Sequence, residues 1–397
     1  MTQFLGLICL GPRFIDRAFV LDLLNDLVAT NSVNPDVGKG PGESSLSNLL
    51  LERLSVVSDL EVRQQHVTGD RSNVVAVLRG SGGGRSLMLN GHMDTVGVEG
   101  MSIEPFRPVL RDGFIHGRGT CDMKGAIAAM IGAAKSLSRS ESKLRGDLTL
   151  SFVVDEEHLS LGITKLVEEY KADAAIVGEP TDMRIATAHK GFVWIEIEMK
   201  GRAAHGSVPE KGIDAIVHAA KVVNRLNELQ DQLRARGHPL LGTPKIHTST
   251  IQGGTHWSIV PDRCVLRLER RTLPGETTAL VMKEIEELLD SVRVEDVNFN
   301  GEARKIFERP PLETAPNEPI VQTLQQTITE ATGTDQSPVG VPYWTDGAIL
   351  SHSASIPTCL FGPGNIGVAH SPDEYVNEQD VLQAAEIYRS IAGKFCA

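Results

Sequence analysis

The chain has 397 residues, room for two or three domains at roughly 100–200 residues each. Its 41% hydrophobic and 23% charged residues are those of an ordinary globular protein, and no run of about 18 apolar residues occurs that would span a membrane. Asp and Glu number 51 against 39 Lys and Arg, a formal net charge of -12, which argues against nucleic acid or an anionic membrane as partner but not against metal cations. In chain order, the apolar patch at residues 4–10 is short for a secretory leader and has no basic residue before it. Residues 14–30 read as an amphipathic helix, with Phe19, Leu23, Leu24 and Leu27 at helical spacing. Asn31-Ser32-Val33-Asn34-Pro35 stops it, and residues 43–54 form a second helical pattern. A strand is predicted at 73–78, then an apolar strand at 86–90 that runs into Gly91-His92-Met93-Asp94. Residues 123–137, rich in Ala, Ile and Met, read as a helix with a buried face. A strand at 147–154 runs into Asp155-Glu156-Glu157, a helix follows at 164–170, and a strand at 174–177 runs into Gly178-Glu179-Pro180. Near the end, a strand at 356–361 runs into Gly362-Pro363-Gly364.

Strands alternating with helices predict an α/β sheet covered on both faces, with ligands beyond the carboxyl ends of the strands. The middle of the chain differs. Residues 193–200, 264–270 and 292–299 alternate apolar and polar, as half-exposed strands do, and helical patterns lie at 213–229 and 277–290. Residues 187–303 therefore read as a separate α+β domain inserted into the first. The five cysteines (Cys9, Cys121, Cys264, Cys359, Cys396) are scattered, with no CxxC spacing, and read as reduced thiols of a cytoplasmic protein.

His92 and Asp94, two apart in an extended segment, project the same way. They are either a metal ligand with the carboxylate that fixes its tautomer, or a loop histidine beside a solvated Asp. Asp122, in Gly117-Arg118-Gly119-Thr120-Cys121-Asp122-Met123-Lys124-Gly125, is either a helix N-cap or a carboxylate shared by two metals. Glu156 and Glu157 point in opposite directions, which suits one ligand and one group aimed at a bound water. Glu179 and His370 have bland readings as an acidic turn and a surface histidine. Taken together, two His and three carboxylates at strand ends make two N/O sites with one shared carboxylate, suited to Zn²⁺ and less specifically to Co²⁺ or Mn²⁺. Such a pair can bind and deprotonate one water and polarise a carbonyl.

Five motifs carry a resemblance, in the same order along nearly the whole chain: Gly91-His92-Met93-Asp94-Thr95, the Gly117 to Gly125 segment, Asp155-Glu156-Glu157, Gly178-Glu179-Pro180-Thr181 and Ala369-His370. They resemble the co-catalytic zinc family of acetylornithine deacetylase, succinyl-diaminopimelate desuccinylase, aminoacylase and carboxypeptidase G. The resemblance implies a phosphorylase/hydrolase-like α/β catalytic domain with a mixed sheet between helices, in two parts (1–186 and 304–397). It also implies an inserted α+β, ferredoxin-like lid (187–303) through which a homodimer forms. It implies that His92 and Glu179 hold one metal and Glu157 and His370 the other. Asp122 would bridge them, Asp94 orient His92, and Glu156 act as general base. His205, in Gly201-Arg202-Ala203-Ala204-His205, matches a lid histidine that reaches the partner's active site and polarises the scissile carbonyl; its plain reading is a turn histidine. Arg271 matches a residue that binds the substrate carboxylate; its plain reading is a surface Arg at a strand end, with Arg270 beside it. Gly362 is placed among the substrate-contacting residues, as is Ser258, which stands where many members carry Asn.

The expected activity is hydrolysis of a small N-acyl amino acid, with a metallo-exopeptidase acting on short peptides as the alternative. A non-catalytic metal- or amino-acid-binding protein would lack a ligand or the base, and neither is missing here.

Overall fold

The computed structural model describes residues 15–397. The patch at residues 4–10, Cys9 and the first residue of the predicted opening helix lie outside them. The chain forms two compact units. One comprises the described residues up to Thr187 with Thr314–Val339 and Thr345–Ala397; the other comprises Ala188–Glu313 with Gly340–Trp344.

In the first unit a mixed sheet runs in the order Leu60–Thr68, Arg71–Leu78, Leu148–Val153, Leu87–His92, Ala174–Val177, Thr358–Leu360, with Ala186 opposite Leu360 at its end. The four strands from Leu148–Val153 to Thr358–Leu360 are parallel, with Asn90 opposite both Ser151 and Val177, and Leu360 opposite Val177. All four are buried along their length. That is why their sequences are mostly apolar, with only Thr149, Ser151, Asn90, His92 and Thr358 as polar interruptions. Parallel strands finish on one edge of the sheet. His92, the Asp155 loop, Glu179 and Gly362 are therefore delivered to the same edge by chain direction alone.

Helix Arg17–Ala29 is capped by Asp16, whose Oδ1 accepts the Phe19 N–H at 3.1 Å. It packs on Gly125–Ser138, which packs in turn on Glu378–Phe395. Gly125–Ser138 is buried nearly all round, and its small residues allow close approach from several sides. A Cβ on Gly178 would lie 2.5 Å from Met130 Cε and 2.8 Å from Ala126 Cβ. Only glycine lets the turn carrying Glu179 sit against that helix.

The second unit is an antiparallel sheet in the order Lys245–Gly253, Arg263–Thr272, Gly191–Lys200, Gly301–Arg309, with helices Ala215–Leu233 and Thr278–Glu295. The first and third strands in chain order, Gly191–Lys200 and Arg263–Thr272, are central, which is the ferredoxin-like order. Val193, Ile195, Ile197 and Met199 join Val222, Leu226, Ile285 and Leu289 in its core. The strand expected at 292–299 is a misreading. Val292 continues the helical stripe of Val281, Ile285 and Leu288, the helix runs on to Glu295, and the last strand is Gly301–Arg309. Two valines in a short window imitate alternation, but the spacing of the preceding apolar positions carries the helix through them. Among the described residues, no helix is long and apolar enough to cross a membrane. Cys121, Cys264, Cys359 and Cys396 are free and buried.

Candidate metal centre

His92 ends its strand with its ring buried. Its Nε2 lies 2.9 Å from Asp122 Oδ1, and its Nδ1 lies 3.0 Å from the backbone carbonyl of Asp94. The Asp94 carboxylate is farther from that ring, at 3.7 Å. Its oxygens instead accept the backbone N–H groups of Glu156 and Glu157, each at 3.1 Å. Asp94 thus touches the histidine through its main chain and the Glu156–Glu157 turn through its side chain. The second oxygen of Asp122 meets His370 Nε2 at 3.2 Å, and the same nitrogen lies 3.1 Å from Glu157 Oε1. His370 is half exposed and sits at φ 60°. Glu179 is buried, and its Oε1 has no hydrogen-bond partner among the described residues. Gly362 does not face this cluster with a side chain. A Cβ there would strike the carbonyls of Gly178 and Glu179 at 2.3 and 2.5 Å, and its N–H donates to Thr181 Oγ1 at 3.1 Å. Gly362 thus clamps the turn that carries Glu179.

Three expected residues belong to the second unit. His205 is exposed, with Nδ1 2.7 Å from Ser207 Oγ. The Ser258 carbonyl accepts the Gly206 N–H at 2.7 Å, so His205 and Ser258 share one ledge. Arg271 is elsewhere in this unit, paired with Glu269 at 2.6 Å and stacked 5.3 Å from the Phe192 ring. Its neighbour Arg270 is wholly buried and held by Glu276.

The charges of the first-unit cluster do not balance. Burial pushes the Glu156 and Glu179 carboxyls well above the usual carboxylate range, and Asp346 beside them adds to it. Burial raises Glu157 as well, against its hydrogen bond with His370. Asp122 goes the other way: burial opposes its charge, but hydrogen bonds to His370 and His92 hold it below the usual range. His370 is raised to about 11, burial being outweighed by hydrogen bonds to Asp122 and Glu157. His92, Asp122 and Glu157 offer donor atoms within 4.8 Å of one another. Each Asp122 oxygen meets a different imidazole, Glu179 presents an orphan buried oxygen, and the surplus is anionic. This donor set fits divalent cations with a taste for nitrogen and oxygen.

Several residues at this edge went unread in the sequence. Glu374 is buried and accepts from Arg118 Nη1 at 2.6 Å and from the N–H groups of Gly119, Cys121 and Asp122 at 2.9–3.1 Å. It pins the loop that carries Asp122. The signal available was Arg118 itself, a cation inside a Gly-rich turn that needs a carboxylate if buried. Asp346, in Thr345-Asp346-Gly347, is buried beside Glu156 and Glu179, and nothing in its short motif marks it.

Residues 88–394 match the model of peptidase family M20/M25/M40, and the chain belongs to that family. It is therefore a metal-dependent hydrolase of amide bonds. An acetylornithine deacetylase of Proteus mirabilis is 30% identical over 390 residues, covering 95% of this chain and 96% of that one. A tripeptidase of Staphylococcus aureus has a similar fold, with TM-score 0.80 and 20% identity over 96% of this chain and 99% of that one. So does a dinuclear metal-binding peptidase of the M20 family from Bacillus subtilis, with TM-score 0.74 and 16% identity over 95% and 98%.

Proposed function

We propose that the chain is a di-metal deacylase of small N-acyl amino acids, loaded with two divalent ions, Zn²⁺ before Co²⁺ or Mn²⁺. The observation that carries this reading is Asp122, a single carboxylate with a histidine Nε2 on each oxygen. His92 and Glu179 would hold one ion, Glu157 and His370 the other, and Asp122 would serve both. When bound, such a pair supplies Lewis acidity, lowering the pKa of a water and polarising the scissile carbonyl. Glu156 takes the proton from the attacking water and returns it to the leaving amine. A carboxyl that can both accept and give back a proton at the site suits both halves of that task. Asp94 sets the aim of Glu156 by holding its backbone N–H. The second unit acts as a lid and dimerisation domain, with His205 and Ser258 meeting substrate in the partner's site and Arg271 receiving its carboxylate. The deacetylase relative, 30% identical over nearly the full length, supports a deacylase over an exopeptidase.

The test is a panel of N-acyl amino acids and dipeptides, run on the zinc-loaded protein and on Glu156→Gln. Turnover should concentrate on the acyl amino acids, and Glu156→Gln should keep its metals while losing about 10²–10⁴-fold in kcat. Preferential cleavage of dipeptides assigns an exopeptidase. Near-normal kcat in the variant removes Glu156 as the base.

A further inference from the structure

Beside the metal centre the first unit holds a second set of donors. Asp36, Asp155 and His158 lie close enough together to invite a cation. A guanidinium already serves them. Arg71 Nη2 lies 2.9 Å from Asp155 Oδ1, and Nη1 lies 3.8 Å from Asp36. Arg71 also grips both oxygens of buried Glu43, at 2.6 and 2.7 Å. The cluster is a structural ion network rather than a third metal site.

The network leads back to the chemistry. Asp155 sits at φ 68°, a left-handed conformation that a non-glycine residue keeps only when its surroundings hold it. Three consecutive N–H groups do so. That of Asp155 donates to Glu43 Oε1 at 3.0 Å, that of Glu156 to Asp94 Oδ1 and that of Glu157 to Asp94 Oδ2, each at 3.1 Å. The two anchoring carboxylates are themselves fixed, Glu43 by Arg71 and Asp94 by Asn34. The Asn34 amide spends its two hydrogens on Asp94 Oδ2 at 2.8 Å and Asp155 Oδ1 at 3.0 Å. Its own backbone N–H is tied to Thr95 O at 2.9 Å. Asn34, Asp94 and Asp155 are all buried, so a lost donor there is not replaced by bulk water.

We propose that Asn34 and Arg71 are positioning residues that aim Glu156 and Glu157 by anchoring the carboxylates to which the 155–157 backbone is bound. The proposal rests on the deacylase reading for what the aim accomplishes, but the anchoring itself can be read without turnover. Asn34 also caps a short helix through its Oδ1, which accepts the Asp36 N–H at 2.9 Å. Asn34→Asp keeps that acceptor and the size and removes both donors, but it also sets a charge against Asp94 and Asp155; Arg71→Lys, which adds no anion, separates lost anchoring from that repulsion. Arg71→Lys keeps the charge but cannot hold Glu43 through two parallel bonds.

The experiment uses the full chain with zinc removed and restored. Hydrogen exchange of the peptide spanning 154–158 in the metal-free protein, zinc affinity by chelator competition, and kcat and KM are read for both variants. Asn34→Asp should exchange at least ~10-fold faster at that peptide with the rest of the chain unchanged, and should lose ~10–100-fold in zinc affinity or kcat. KM should stay within a factor of about three, because no substrate contact is removed. Arg71→Lys should shift the same readouts in the same direction, and it stands as the test if Asn34→Asp does not fold. Wild-type exchange at 154–158 with wild-type zinc affinity and kcat, in either folded variant, overturns the proposal. A wild-type protein with no activity on any acyl amino acid overturns the deacylase reading and leaves the exchange result to decide the anchoring.

Discussion

At the carboxyl edge of the first unit's sheet, Glu179 is buried and Glu156 and Glu157 are partly so, with too few cations among them, and desolvation pushes their carboxyls up. On the sheet of the second unit, Glu196 is also little exposed but lies between Arg267 Nε at 2.9 Å and Arg304 Nη2 at 2.6 Å. Those hydrogen bonds hold its carboxyl below the usual range. The two regions use the same side chain and differ in two ways: the site carboxyls lie deep, where desolvation dominates, while Glu196 is only shielded by side chains on a sheet face, and only there does the chain supply the counter-charge. Where it does, the acid is part of the scaffold. Where it does not, the deficit has to be met from outside, and divalent ions meet it.

The sharpest way to break this contrast is Asp122→Ala. It removes the one carboxylate that both histidines contact. Zinc stoichiometry should fall below two per chain, and kcat should drop by at least ~10³-fold, the scale of a lost catalytic group. Elemental analysis after dialysis, together with the acyl amino acid assay, measures both. Retention of two tightly held ions would mean that the imbalance of charge is not what binds them.

Much of the site could be read from the sequence because of where its residues fall. His92 closes one apolar strand, Glu157 and Glu179 follow the ends of two others within four residues, and Asp122 follows paired glycines. Chain direction in a parallel sheet then gathers them with little further information. The supporting residues were hidden for a physical reason. Glu374, Asn34 and Arg71 act on backbone N–H groups and on other carboxylates, and such bonds leave no spacing rule in the sequence. The strand Leu60–Thr68 was missed because it forms an edge of the sheet and buries few of its side chains, so its pattern is mostly polar. The misplaced strand at 292–299 shows the converse, β-branched residues carried by a helix whose apolar stripe had not ended.

A second, smaller effect should appear as a difference in pH dependence with and without metal. In the metal-free protein His370 is raised to about 11, against about 6.5 unfolded. The stability it lends is complete below pH ~6.5 and fades as pH rises toward 11. The raised carboxyls of Glu156 and Glu179 act in the same direction, since the folded state holds their protons longer. In the loaded protein the ligating imidazoles must be neutral, so protons compete with metal and stability should climb with pH. Lys124, pushed down to about 7 by burial, lends stability as pH rises in both forms and cancels in their difference. Melting temperatures from pH 6 to 9 with zinc and with chelator should therefore diverge as pH rises. Parallel curves would show that the two histidines are not the groups the metal displaces.

The smallest effect belongs to the compensated side of the contrast. Glu196→Gln leaves Arg267 and Arg304 without their shared anion, but both guanidiniums are largely exposed and return to water at little cost. The loss should be about 0.5–1 kcal/mol at neutral pH, shrinking in high salt. Because the Glu196 carboxyl is held below its usual range, the stability it lends is present above pH ~4.5 and lost as pH falls through the lower folded value. The difference between wild type and Glu196→Gln should accordingly vanish in acid, while zinc content and kcat stay unchanged. Denaturant melts at pH 7 and pH 3, in low and high salt, measure this. A loss of zinc on Glu196→Gln would erase the distinction between an acid paired within the scaffold and one left for a metal.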